Sequence, residues 1–235
     1  MTDYYRRHYR DYFAETAAID PEPFLGPFVA HLSSGDRVLD VGCGSGRDLL
    51  WLKRQGMRVT GFEGSPGLAG LARKHAGCPV IEGDFTTFDF ADLAMDAVLM
   101  CGALVHVPHE SFASVLGNIC RALRGDSQRR IVYLSLKEGD GRRMDRRGRL
   151  FYDWRTADLG WRHGDSGLQA GGGCGWIGAA VVGLCPALRR IRPLKCNNLG
   201  RIRHTGCFQR KEKNERESGY QKSHLLDDQG QQVLR

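Results

Sequence analysis

The chain reads as an α/β protein built on a doubly wound, mostly parallel sheet, and three features predict this. Five short apolar, β-branched segments alternate with helical segments over the first two thirds, which calls for parallel strands joined by right-handed crossovers. A glycine-rich turn, Gly42-Cys43-Gly44-Ser45-Gly46, joins the first such strand to a helix. Hydrophobic residues make up 41% of the 235 residues, enough for a substantial core.

Taken in order, Met1 to Phe13 is aromatic and basic, with Tyr5, Tyr9, Tyr12 and Phe13 close to helical spacing. This predicts a helix that either closes over a site or simply docks on the domain. Pro21, Pro23 and Pro27 interrupt the chain, and Phe24 to Leu32 predicts a helix ahead of the turn Ser33-Ser34-Gly35-Asp36. Arg37 to Val41 is a strand, and Leu49, Leu50 and Leu52 follow at helical spacing. Arg58 to Phe62 is the second strand, with Ser65 as N-cap and Pro66 as first residue of a helix over Leu68 to Ala76. Val80 to Glu82 opens a third strand, Met95 to Met100 is a fourth, His109 to Leu123 an amphipathic helix, and Arg130 to Leu136 a fifth strand. The division that follows is an N-terminal helical arm or lid (1–35), a ligand-binding core (36–159) and an atypical C-terminal region (160–235).

The turn narrows the choice of ligand. It ends Gly46-Arg47-Asp48 where a P-loop needs Gly-Lys-Ser/Thr, and its GxGxG spacing puts Arg47 where the dinucleotide fingerprint has its last glycine. Asp40 precedes the first glycine, and a carboxylate aimed at the turn repels pyrophosphate but attracts a cation. S-adenosylmethionine has no phosphate and carries a sulfonium and an ammonium group.

On these residues the sequence resembles the class I, Rossmann-like, S-adenosylmethionine-dependent methyltransferases, whose first motif is matched by "LDVGCGSG", Leu39 to Gly46. Three further landmarks arrive in order. The resemblance implies that Glu63 in "VTGFEGS", followed by Gly64, accepts from the ribose hydroxyls. It implies that Asp84 in "IEGDF" accepts from the adenine amino group while Phe85 packs on the ring. It implies that Cys101, Gly102, Ala103 and Leu104, in "MDAVLMCGALVHV", line the pocket near the methyl group. Taken singly, Glu63 and Asp84 also read as solvated residues closing strands. The implied cofactor-binding set is therefore Asp40, Gly42, Cys43, Gly44, Gly46, Arg47, Glu63, Gly64, Asp84, Phe85 and Cys101, with Tyr9 from the arm. Tyr4 and Tyr12 are further lid candidates, and Arg10 or Arg47 is placed to meet the cofactor carboxylate. His106, just after the fourth strand, is the candidate base, or else a residue that only hydrogen-bonds the backbone.

Methyl transfer needs alignment more than a conserved catalytic group, since orientation alone supplies about 7–11 kcal/mol in well-aligned systems. Neither an NPPY-type segment nor a Pro-Cys nucleophile follows the fourth strand, which disfavours the amino-methylating DNA enzymes, and "CGALVHVPHESF" resembles small-molecule members. A small-molecule acceptor is therefore expected. An RNA or protein methyltransferase and a catalytically degenerate cofactor-binding module are the alternatives, and a nicotinamide dehydrogenase is disfavoured by Asp40 and Arg47.

The net charge of +7 suits an anionic partner only if it clusters on one face, so nucleic acid is disfavoured. The Arg-rich stretch Leu134 to Trp154 reads as a solvated loop or as a rim attracting an anionic substrate. No signal peptide opens the chain and Gly175 to Leu188 is too short and glycine-rich to span a bilayer, which predicts a cytoplasmic protein without membrane contact. The eight cysteines contain no CxxC pair, and the even spacing of Cys174, Cys185, Cys196 and Cys207 matches no zinc pattern.

From Gly160 the resemblance stops. The residues show neither strand alternation nor helix caps, and 210–235 read as a polar, disordered tail. A reading-frame change near Leu159 would account for this, and would leave the fifth strand an unpaired edge. A divergent appendage binding a partner through the basic stretch Arg189 to Arg203 is the alternative.

Overall fold

The computed structural model describes residues 3–123 and 131–155, together with the backbone of Trp176–Val182. The basic stretch 189–203, the four evenly spaced cysteines and the polar tail lie outside the described residues.

The arm forms two short helices, α1 (Asp3–Arg7) and α2 (Tyr9–Thr16), with a break at His8, and α3 (Glu22–Val29) follows. The core then alternates β1 (Arg37–Val41), α4 (Arg47–Arg54), β2 (Arg58–Glu63), α5 (Pro66–Ala76), β3 (Val80–Glu82) and β4 (Ala97–Cys101). A 3₁₀ turn (Leu104–His106), α6 (His109–Cys120) and β5 (Ile131–Lys137) complete the predicted series. Ser65 caps α5 as its sequence predicts, its Oγ accepting from the Leu68 N–H at 3.5 Å, and Gly77 ends the helix in the left-handed region.

The sheet order is β3-β2-β1-β4-β5-β8, with β1 to β5 all parallel. Chain order reverses between β1 and β4, and the crevice beyond the carboxyl ends of those two strands is where such sheets hold ligands. The last strand corrects the expectation of an open edge: β8 (Trp176–Val182) pairs antiparallel along the whole of β5, from Ile131 opposite Val182 to Lys137 opposite Trp176. Its sequence, WIGAAVV, is a continuous run of small and branched apolar residues without period-two alternation, which is why it carried no strand signal.

Alternation along the inner strands splits the core between two faces. Leu39, Val41, Phe62, Met100 and Leu134 pack with Phe112, Leu116 and Ile119 of α6. Val38, Val59, Leu99 and Tyr133 pack on the other side with Leu25 and Phe28 of α3, Leu49 and Leu52 of α4, and Ala69 and Ala72 of α5. A separate hairpin, β6 (Arg142–Met144) with β7 (Leu150–Tyr152), rises from the segment after β5 and meets the arm. Arg147 in its turn donates to both carboxylate oxygens of Glu15 and to the Tyr4 hydroxyl, and Arg149 stacks over the Tyr4 ring.

Candidate active site

A cavity of about 530 Å³ opens beyond the carboxyl ends of β1, β2 and β4, within the range of about 300–1,000 Å³ usual for small-molecule sites. Its floor is the glycine turn. The backbone of Val41 hands over to Gly42, whose N–H donates to the Phe62 carbonyl at 2.7 Å. Gly42 has φ +73°, and a Cβ there would stand 2.7 Å from the Cβ of Ala103, so the turn and the segment after β4 touch only because the side chain is missing. At Gly44, φ +55°, a Cβ would meet the ring of Tyr12 at 3.2 Å.

Glu63, the last residue of β2, ties this turn down. Its Oε2 accepts from the Gly44 N–H at 2.9 Å and its Oε1 from the Ser65 N–H at 2.8 Å, and the residue is buried yet lines the cavity. Burial pushes its carboxyl above the ordinary value against the pull of backbone N–H groups of Ser65, Gly44 and Gly64. Each oxygen keeps a further lone pair, so the same carboxylate can hold the turn and accept from a ligand hydroxyl.

Of the other predicted residues, Gly42, Gly44, Phe85, Cys101 and His106 also line the cavity. Seven do not: Gly64 is outside the lining, and Gly46 packs on Ala72 of α5, where a Cβ would stand 3.0 Å away. Asp40 faces the α4 side of the sheet, in step with Val38, and is buried beneath the turn. Its Oδ2 has no hydrogen-bond partner, and burial, reinforced by the Asp48 carboxylate, raises its carboxyl well above the ordinary range. Cys43 is packed in the same layer. Arg47 is committed to Asp48 through Nε–Oδ1 and Nη2–Oδ2 contacts of 2.6 and 3.0 Å and stacks on Phe24. Asp84 caps its own turn, Oδ1 accepting from the Thr86 N–H at 2.9 Å and the Thr86 hydroxyl at 2.7 Å. These bonds hold its carboxyl below the ordinary value although burial opposes them. Tyr9 packs on α5, where a Cβ on Gly67 would meet its ring at 2.6 Å, and the lid candidate Arg10 donates to the Tyr9 hydroxyl.

The arm contributes Tyr12 and, unpredicted as a site residue, Tyr5. The two rings meet edge to face at 5.1 Å. Tyr5 and His106 share a hydrogen bond of 2.9 Å at Nε2, while His106 Nδ1 lies 2.5 Å from the Leu150 carbonyl of β7. The far wall includes Thr86 and, on the first turns of α6, Glu110, Ser111 and Ser114. The position of α6 directly after the fourth strand was the one available signal for them.

The charge of the lining is distinctive. Among the described residues, Glu63 and Glu110 are its carboxylates and no Lys or Arg lines it. A cradle of left-handed glycines, an acid at the end of β2 and an aromatic residue after β3, without a basic group, fits a cationic, phosphate-free nucleoside such as S-adenosylmethionine and opposes a dinucleotide.

The sheet order and the glycine turn are those of a Rossmann-like methyltransferase fold, and residues 38–126 match the methyltransferase domain family. The malonyl-[acyl-carrier protein] O-methyltransferase of Pectobacterium atrosepticum is 35% identical over 131 residues, covering 55% of this chain and 49% of that protein. The chain spans 28% and 49% of the lengths of two curated relatives it matches. A crystal structure of a Pyrococcus horikoshii protein superposes with a TM-score of 0.57 at 19% identity, covering 77% of this chain and 98% of that one, a likeness of fold. The Burkholderia thailandensis 1,6-didemethyltoxoflavin-N1-methyltransferase, solved with 1,6-didemethyltoxoflavin and S-adenosylhomocysteine, is 27% identical at a TM-score of 0.50, covering 66% of this chain and 69% of that one. Among the described residues no helix is long and apolar enough to cross a membrane.

Proposed function

We propose that the chain is an S-adenosylmethionine-dependent methyltransferase acting on a small-molecule acceptor. The observation that carries this is the acid-lined, glycine-floored cavity in which the buried Glu63 carboxylate holds the Gly44 N–H and still faces the interior. In this reading Glu63 accepts from the ribose hydroxyls, Phe85 packs on the base, and Gly42, Gly44 and Cys101 form the surface beside the reacting end. Bound S-adenosylmethionine would supply a methyl group activated by its sulfonium. The chain's own task is then to align the acceptor and exclude water, and the arm, pinned by Arg147 to the hairpin, closes the cavity on one side. Small-molecule acceptors are favoured by the cavity's size and by the names of the similar proteins. Asp40, Cys43, Arg47 and Asp84, which do not line the cavity, act in this reading from beneath or beside it as supports of the turn and its neighbour.

Calorimetric titration with S-adenosylhomocysteine tests the reading. Binding with a dissociation constant of about micromolar order is expected, without competition from NAD or ATP. A folded chain that binds no S-adenosylhomocysteine would overturn it.

A further inference from the structure

Among the described residues His106 is the only imidazole lining the cavity, and its hydrogen bonds dictate its chemistry. A backbone carbonyl can only accept, so the contact with the Leu150 carbonyl places the proton on Nδ1. In the neutral ring Nε2 is then an acceptor, and the 2.9 Å partner donating to it is the Tyr5 hydroxyl. The basic lone pair of His106 is thus engaged by the hydroxyl of Tyr5, which lines the cavity beside it.

The hydroxyl is not needed to hold the arm. The Tyr5 carbonyl accepts from Ser65 Oγ at 3.0 Å, Arg147 grips Glu15 at 2.7 Å, and Tyr9 packs against Gly67. Three fastenings independent of the phenol leave its pairing with His106 without a structural necessity. The charged groups around the pair are Arg149 and Asp145 of the hairpin turn and Glu63 from β2, and the ring of Phe151 lies 4.7 Å from the imidazole.

We propose that Tyr5 is a catalytic residue, relaying a proton from the acceptor to His106, and that the acceptor is therefore an O–H or N–H compound that must lose that proton as it is methylated. The proposal rests on the methyltransferase reading above. The acceptor's O–H or N–H bond breaks as that atom forms its bond to the methyl carbon, while the carbon–sulfur bond of the donor breaks and its electron pair stays on sulfur. The proton joins Tyr5 Oη while the tyrosine's own proton passes to Nε2 of His106. The resulting imidazolium keeps its Nδ1–H on the Leu150 carbonyl, and its extra proton returns through Tyr5 to water once the product leaves. Burial holds His106 below its ordinary pKa, the Leu150 carbonyl opposing and Arg149 assisting, so the lone pair is available at neutral pH.

Two readouts test this on the full chain. The first is isotope-edited imidazole NMR of the S-adenosylhomocysteine complex. His106 should show the single Nδ1–H tautomer, and Tyr5→Phe should shift the Nε2 resonance and raise the midpoint of His106, because the donor that stabilises the neutral ring is gone. The second is transfer of a labelled methyl group to phenol, catechol and benzamide, as O–H and N–H acceptors that still hold their proton at neutral pH. Wild type should methylate at least one of them, and Tyr5→Phe should lose about 10²–10⁴-fold in kcat. The variant's affinity for S-adenosylhomocysteine should stay within about threefold, which separates catalysis from arm docking. An Nε2–H tautomer, unchanged turnover in Tyr5→Phe, or failure of a wild type that binds S-adenosylhomocysteine to methylate any probe would each overturn the relay. Absence of that binding would instead overturn the parent reading, and the relay with it.

Discussion

Glu63→Gln separates the two tasks assigned to one carboxylate. In the wild type both oxygens are engaged by buried N–H groups, Gly44 at 2.9 Å and Ser65 at 2.8 Å. The amide keeps one acceptor oxygen and turns its NH₂ toward the other donor, leaving one buried N–H without a partner, at a cost of about 1–3 kcal/mol. Part of this is returned because a carboxylate whose pKa burial raises is no longer held in the interior. The net expectation is a loss of about 1–2 kcal/mol in unfolding free energy, or roughly 2–8 °C in Tm. A hydrogen bond from a ligand hydroxyl to a charged acceptor contributes about 1.5–3 kcal/mol, so affinity for S-adenosylhomocysteine should fall about 10- to 100-fold. Urea unfolding followed by two probes, with calorimetric titration of the same preparations, measures both. A variant as stable as wild type that binds equally well would show that Glu63 neither holds the turn nor meets the ligand.

Gly42→Ala combines a positive φ with a Cβ 2.7 Å from that of Ala103. The left-handed conformation alone costs about 1–2 kcal/mol, so a loss of at least about 2 kcal/mol is expected by thermal unfolding. Asp40→Asn tests the buried acid. A carboxyl raised on folding stabilises the fold below its unfolded pKa and loses that contribution as pH rises through the folded pKa. The asparagine variant should therefore gain on wild type as pH rises above the ordinary carboxylate value of about 3.9 in paired unfolding curves, and a constant difference would contradict the assignment. Arg147→Ala removes a half-exposed ion pair with Glu15, so global stability should move by less than about 1 kcal/mol. Tryptic cleavage of the arm at Arg6, Arg7 or Arg10 should nevertheless accelerate, because the hairpin no longer holds α2.

The five parallel strands were legible because each inner strand is a short apolar run ended by glycine or acid and alternates with helical segments. The turn at Gly42 to Gly46 was legible for the same local reason. Side-chain direction at its borders was less so. Asp40 sits two residues from Val38 and so faces α4, a consequence of strand periodicity that outweighs its nearness in sequence to the glycines. Asp84 and Arg47 each find a neighbour one or two residues away and spend their charge there. Tyr5 was indistinguishable from Tyr4 and Tyr9 until the break at His8 set the angle between α1 and α2. Strand β8 was hidden because pairing with an edge needs only backbone groups, which composition does not report.

The net charge of +7 and the acidity of the cavity differ in sign, and distance decides which one a ligand feels. At about 4 Å, with an effective dielectric of about 20, one charge contributes roughly 4 kcal/mol. Beyond the Debye length of about 8–10 Å, exposed charges are largely screened. Three of the hairpin's arginines are also paired where they stand, Arg143 with Asp153, Arg147 with Glu15 and Arg149 with Asp145. Glu63 and Glu110 therefore set the potential inside the cavity. The net positive charge bears only on encounter at long range, where it would slow a cationic ligand slightly at low salt without altering which ligand the site prefers.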